Sequence, residues 1–437
     1  MNRIFSLIPV LIISGSVIAQ NPDSSGGNKS LGECIQYALI HQTNIRQSQI
    51  DQQIADRQIK SHLADWYPQI NFNGDYQQNF QLQTSIFSGN AQHIGTYNTS
   101  LGQFSLSQTI FNRDVLLTQK TANDVRTLAK QNSINTSIDV VANVSKAFYD
   151  VLLSKQQILL LDSDIVLLQR SLKDAYNQYK GGLVDKTDYQ RATISLNNTK
   201  ALKKTAEEQL KSRNALLKLF MSYPTDSTLD LVYNSAQMEQ EVTTLDTLQS
   251  VDFNNRIEYQ QLLTQKRLQE ANLKYYKWGF LPSVSAFGAY NLNYFNDRFS
   301  KLYSNNYPNS YAGISLSFPI FQGTRRTQEV HIAQLQLDRL EYTFTSAKDS
   351  ISTQYIQALA SYKANLSNYF EQKENLELAR QVYDVIRLQY RAGVKTYLEV
   401  ITANNDLFGA QINYTNALYQ VLSNKIDVER ALGTLKY

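Results

Sequence analysis

Hydrophobic positions change period several times along this chain, and the order of the changes occurs twice. Leu31, Ile35, Ala38, Leu39, Ile45, Ile54 and Ile59 recur mostly at three- and four-residue steps, which predicts a helix over 31–66. Pro68 stops it. The period then becomes two. Ile70, Phe72, Gly74, Tyr76, Phe80, Leu82, Thr84 and Ile86 alternate with Gln69, Asn71, Asn73, Asp75, Gln77, Asn79, Gln81, Gln83 and Ser85. One oily face and one wet face predict an extended strand over 70–86, roughly 55 Å long and so longer than a bilayer requires. Ser88-Gly89-Asn90-Ala91 reads as a turn and 97–111 as the return strand.

The device recurs after Pro282. Val284, Ala286, Gly288, Tyr290, Leu292 and Tyr294 form one face against Ser283, Ser285, Asn291 and Asn293, with Phe287 and Ala289 interrupting the polar side. A polar loop over 295–309 precedes a return strand in which Ala312, Ile314, Leu316 and Phe318 oppose Gly313, Ser315 and Ser317. Each hairpin leads into a stretch without Pro or Gly, 113–179 and 324–392. Either could form a helix of roughly 100 Å. Val140, Val144, Ala147, Phe148, Val151 and Leu152 mix heptad steps with extra contacts, as in a helix packed on more than one neighbour. Tight turns at Gly181-Gly182 and at Gly393 lead to further helices over 187–220 and 397–435.

The two halves are offset by about 211 residues: Tyr179-Lys180-Gly181-Gly182 recurs as Tyr390-Arg391-Ala392-Gly393. That is too long for a solenoid period and describes a duplicated half-protein. The expected domains are a first repeat over 20–220 (hairpin 69–111), a polar connecting insert over 221–250, and a second repeat over 251–437 (hairpin 282–321). Residues 1–19, with Arg3, an apolar run from Ile4 to Ile18 and Val17-Ile18-Ala19, read as a secretory signal peptide.

Four amphipathic strands cannot close a barrel alone, and lipid does not tolerate an open sheet edge. Several chains must therefore share one barrel. Two would give eight strands and a lumen filled by side chains, whereas three give twelve and leave room for water, which suits the Asn, Gln and Ser faces. Trp66, Tyr67, Phe111, Trp278, Phe280, Phe318 and Phe321 fall where strands meet helices, as an interfacial belt would. The competing reading is a soluble helical scaffold or adhesin with two surface hairpins, extractable without detergent.

Composition narrows the chemistry. The net charge of +4 is spread along the chain, without the basic cluster that nucleic acid demands. His41, His62, His93 and His331 are scattered, no Ser-His-Asp arrangement is evident, and Cys34 is alone. No enzyme, cofactor or metal site is expected.

At this point the chain resembles the TolC-like outer-membrane efflux proteins over 31–437. The carriers are the paired repeats, Leu281-Pro282-Ser283-Val284, Phe318-Pro319-Ile320-Phe321, the Tyr-x-x-Gly turns and Ala431-Leu432-Gly433-Thr434-Leu435. The resemblance implies a homotrimer with a twelve-stranded outer-membrane barrel and an α-helical periplasmic tunnel. It implies docking with a periplasmic adaptor and an inner-membrane RND or ABC transporter, for small-molecule efflux or for type I protein secretion. It also implies a gate at the periplasmic tip. Matched to that motif, the tip turns are Gly181, Gly182 and Gly393, and the polar links are Thr187, Asp188, Tyr390 and Lys395. Glu399 would supply an acidic ring, with Thr402 where a second acid is expected. Lys395 stands where an Arg often appears, which forfeits a bidentate grip on a carboxylate.

Overall fold

The computed structural model describes residues 29–87, 89–182, 185–232, 235–242, 245–246 and 248–437. The expected leader, part of the first hairpin turn and two residues of the first tip turn lie outside the described residues.

Two helices replace the single one expected at the start. α1 (Leu31–His41) and α2 (Thr43–Leu63) meet at Gln42, whose extended backbone breaks the helix and whose side chain accepts from the Ile45 N–H. A short 3-10 turn, Ala64–Trp66, then delivers the chain to β1 (Gln69–Gln78). The long alternating strand is likewise divided. Its second half pairs separately, as β2 (Gln83–Phe87) against β3 (Asn90–Ile94), a two-stranded ribbon beyond the main sheet. The alternation continued through the break, so hydrophobic period alone could not reveal it.

The return strand β4 (Asn98–Phe111) leads to α3 (Arg113–Lys180) and α4 (Lys186–Met221). The connecting segment, expected only as a polar insert, contains α5 (Ser235–Glu241). α6 (Ile257–Lys277), β5 (Ser283–Asn296), β6 (Asn309–Ser317), α7 (Arg325–Arg391) and α8 (Tyr397–Leu432) repeat the first half. The 68 residues of α3 make a helix of about 100 Å.

The main sheet has the order β1-β4-β5-β6, all antiparallel. Register fixes its two faces. Ile70, Phe72 and Gly74 oppose Leu106, Phe104 and Gly102, which oppose Gly288, Tyr290 and Leu292 on β5. Asn71, Asn73, Ser105, Gln103, Ala289 and Asn291 line the other face. On that polar face the Gln103 amide donates to Asn291 (2.8 Å), and Asn291 donates to Asn309 (2.8 Å). Phe287 interrupts it and lies across Gly313, leaving no room for a side chain there. β1 and β6 have free outer edges.

The core lies midway along the helices, where α1, α3, α4, α7 and α8 come together. Val144, Val151 and Leu152 of α3 are fully buried with Cys34, Ala38, Leu217, Val421 and Leu422. The connecting segment is bolted to this girdle. Tyr362 on α7 is wholly buried and donates to the Val242 carbonyl (2.6 Å), and Tyr414 on α8 donates to Glu239 (2.8 Å), which also pairs with Lys373 (2.7 Å). Among the described residues, no helix is long and apolar enough to cross a membrane.

Candidate functional site

The far end of the helices carries the expected gate residues. α3 ends at Gly181, whose N–H caps onto the Asn177 carbonyl, with Gly182 following. Asp185 caps α4 by accepting from the Thr187 N–H (3.1 Å), and Asp188 sits in the first turn, where the helix dipole favours a negative charge. The second turn reverses at Gly393, with φ of +77°, a conformation that strains side chains other than glycine. The Gly393 and Val394 N–H groups close onto Tyr390 and Gln389.

α8 then starts in a reciprocal capping box. The Thr396 hydroxyl accepts from the Glu399 N–H, and Glu399 accepts from the Thr396 N–H (2.9 Å). Lys395 donates to the other Glu399 oxygen (2.6 Å). These bonds, the Lys395 contact first, hold the Glu399 carboxyl down to about 2. Within one chain, Glu399 is therefore ionised and paired rather than a bare acid.

A side-chain hydrogen bond and an aromatic packing contact join the two helical hairpins here. The Tyr390 hydroxyl on α7 donates to Gln178 on α3 (2.9 Å). Tyr397 packs beneath it, 3% exposed, against Ala175 of α3 and Ala192 of α4, with its ring 5.9 Å from that of Tyr390. The absence of bulk at both alanines makes room for the ring. Burial raises the pKa of both tyrosines, and the Asp188 and Asp174 charges add to it. The structure thus links Tyr390 to Gln178 and pairs Lys395 with Glu399, while Asp188 acts on Tyr390 only through its charge. Thr187 contributes a backbone bond.

Sequence reasoning missed Gln178 and Tyr397, and also a node further up the tunnel. Asp164 on α3 is buried and accepts from Thr199 on α4 (3.2 Å) and Asn404 on α8 (2.9 Å). Burial raises its pKa despite both bonds. No spacing rule links residues so far apart in the chain. Near the girdle, Arg256 is 4% exposed and donates to Glu258, Gln354 and the Ala431 carbonyl, tying α6 to α7 and α8.

At the sheet, Trp66, Tyr67, Phe111, Trp278, Phe280, Phe318 and Phe321 do fall at the strand–helix junctions. Phe321 is 86% exposed and Tyr67 69%, while Lys120 covers the Trp278 ring at 4.2 Å. Among the described residues, no group of three or more His, Cys, Asp or Glu side chains is placed to hold a metal ion.

The family model for "Outer membrane efflux protein" matches residues 34–221 and 254–434, which together span both repeats. This chain belongs to that family. The efflux-protein assignment agrees with two relatives and one solved structure. Outer membrane protein TolC of Escherichia coli (strain K12) is 23% identical over 442 residues, covering 98% of this chain and 86% of TolC. Cation efflux system protein CusC of the same strain is 22% identical, covering 91% and 85%. The Campylobacter jejuni CmeC outer membrane channel superposes with a TM-score of 0.74 at 14% identity, covering 92% of this chain and 85% of CmeC. The fold of this efflux-family chain is accordingly that of an outer-membrane barrel continued by a helical tunnel.

Proposed function

We propose that three copies of this chain form an exit duct through the outer membrane, passing small molecules from an inner-membrane transporter through a periplasmic tunnel to the exterior. One observation carries the reading: a four-stranded sheet with an exposed apolar face and two free edges, continuous with helices of about 100 Å. Ile70 is 74% exposed, Phe72 60%, Ile314 73% and Leu316 66%, which costs free energy in water and none in lipid. β1 and β6 run in opposite directions, so one chain's β6 can pair with the next chain's β1 without changing the antiparallel pattern. Three chains give twelve strands and a lumen wide enough for water. Along α7, Ile356, Phe370, Leu378 and Val385 remain exposed at near-heptad spacing, as a helix awaiting a neighbour would leave them.

The tip forms the resting gate. Tyr390 holds α7 to the α3–α4 hairpin through Gln178, while Lys395, Thr187 and Glu399 fix the turns beside Asp188. Bonds at this level of exposure are each worth about 0–1 kcal/mol, so a docked periplasmic adaptor can open them. The aromatic side chains at the strand–helix junctions lie at the periplasmic interface of the outer membrane. Reconstitution into a planar bilayer tests the duct. A small resting conductance that rises in Lys395→Ala or Asp188→Ala supports the gate. A protein that never inserts refutes the duct, and an unchanged conductance in both variants removes these residues from the gate.

A further inference from the structure

The segment joining β5 to β6 is not the polar loop its composition suggests. It forms a 3-10 helix, Phe299–Ser304, whose Leu302 is 1% exposed. Its contacts fix which side of the sheet it covers. The Phe299 ring meets Tyr76 edge-on at 5.5 Å, the Tyr303 ring meets Tyr294 at 5.1 Å, and the Tyr303 hydroxyl reaches Ser100 at 3.4 Å. Tyr76 shares a face with Phe72 and Ile70, Ser100 with Phe104 and Leu106, and Tyr294 with Leu292 and Tyr290. The segment therefore folds over the apolar, outward face and not over the lumen.

It is held rigidly there. Asn98, 4% exposed, accepts from the Tyr76 hydroxyl and donates to the Asp297 carbonyl (3.0 Å). Asn296 donates to the Lys301 carbonyl (3.1 Å) and Ser304 to the same oxygen (2.7 Å). Phe299 and Tyr303 each remain 62% exposed on this shelf. Arg298 and Lys301 flank them, both exposed, and neither side chain meets a carboxylate among the described residues. The nearby Asp297 carboxylate is engaged instead by the Tyr97 N–H (3.2 Å). The shelf stands at the end of the apolar band opposite the helices.

We propose that Arg298–Ser304 is a lipid-binding ledge at the outer rim, taking a phosphate-bearing lipid of the external leaflet. Phe299 and Tyr303 lie along its acyl chains, continuing the apolar face below them. Arg298 and Lys301 meet its phosphates at headgroup level, where unpaired cations are attracted to anionic lipid and aromatic rings sit at the boundary. The ledge rests on the barrel reading given above.

Native mass spectrometry of the detergent-purified oligomer tests it, with bis-phosphorylated lipid A as the probe and its dephosphorylated form as the comparison. The wild type retains the phosphorylated probe preferentially. Arg298→Ala with Lys301→Ala lowers that retention by about 30-fold, to the level of the dephosphorylated form. The charge-preserving pair Arg298→Lys with Lys301→Arg keeps it. Equal retention by the alanine pair and the wild type overturns the ledge while leaving the barrel standing. A purified chain that forms no heat-modifiable oligomer before any lipid is added overturns the barrel reading itself, and the ledge with it.

Discussion

Removing one oxygen from Tyr390 isolates the only side-chain hydrogen bond that ties α7 to α3 at the tip among the described residues. In Tyr390→Phe the ring keeps its packing against Tyr397, 5.9 Å away, and loses the 2.9 Å bond to Gln178. A half-buried neutral hydrogen bond contributes about 0.5–1.5 kcal/mol net. If the three chains open together, the loss is roughly 3 kcal/mol per channel, or about a hundredfold in the opening equilibrium. Single-channel recording in planar bilayers reads this as more frequent and longer openings at unchanged unitary conductance. Gln178→Ala is expected to act alike, and the double variant no more than either alone, because both remove one bond. Additive effects, or resting conductance equal to wild type in both single variants, would refute the link as a gate element.

Other parts of the molecule yield sharper stability tests. Burial raises the Asp164 pKa, so its ionised form burdens the folded state above the ordinary carboxylate range. That burden lifts as pH falls through the raised value toward the unfolded one. Thermal melts of the wild type should therefore gain stability on mild acidification relative to Asp164→Asn, and parallel pH profiles would contradict this. Glu399 behaves oppositely: with its pKa held near 2, the support it lends the tip is complete above the unfolded carboxylate pKa and fades only as pH falls toward 2. Hydrogen-exchange protection at the start of α8, corrected for the intrinsic pH dependence of amide exchange, should be flat from neutral pH to about 5, and a change in that window would count against the pairing. Arg256→Ala strands the Ala431 carbonyl and unpairs a partly exposed Glu258, costing about 2–4 kcal/mol in denaturant melts. Gly433→Ala combines a φ of +73° with a new carbon 2.5 Å from the Asn255 carbonyl oxygen. It should cost at least about 2 kcal/mol and reduce the yield of assembled protein.

Local periodicity carries far along this chain, and its failures have physical causes. The runs without Pro or Gly over 113–179 and 324–392 became α3 and α7 almost to the residue, because nothing inside them can stop a helix. The alternating faces of β1, β4, β5 and β6 also survived, since register in a one-sided sheet is fixed by burial. The break at Gln42 left no such mark: a glutamine that caps through its own side chain looks like any helix residue. The split of the first hairpin was equally silent, because Phe80 and Leu82 sustain the alternation through residues that leave the main sheet. α5 was hidden by its polar composition; Met238 and, just beyond the helix, Val242 pack into the core. At the tip, the turn motif located Tyr390, Lys395 and Glu399. Gln178, the partner of Tyr390, and the Ala175 and Ala192 seat of Tyr397 depend on how two hairpins 211 residues apart lie side by side, which no local pattern records.

Closure of the sheet across subunits tests the central claim most directly. Cysteines scanned along β1 and β6, in a chain whose Cys34 is replaced by Ala, should cross-link under oxidation at matched heights. A shared barrel gives a ladder of one, two and three chains that stops at three, roughly 150 kDa for a chain of 49.9 kDa, and that appears only when both edges carry a cysteine. A ladder that continues past three, or a protein extracted without detergent that never cross-links, would contradict it.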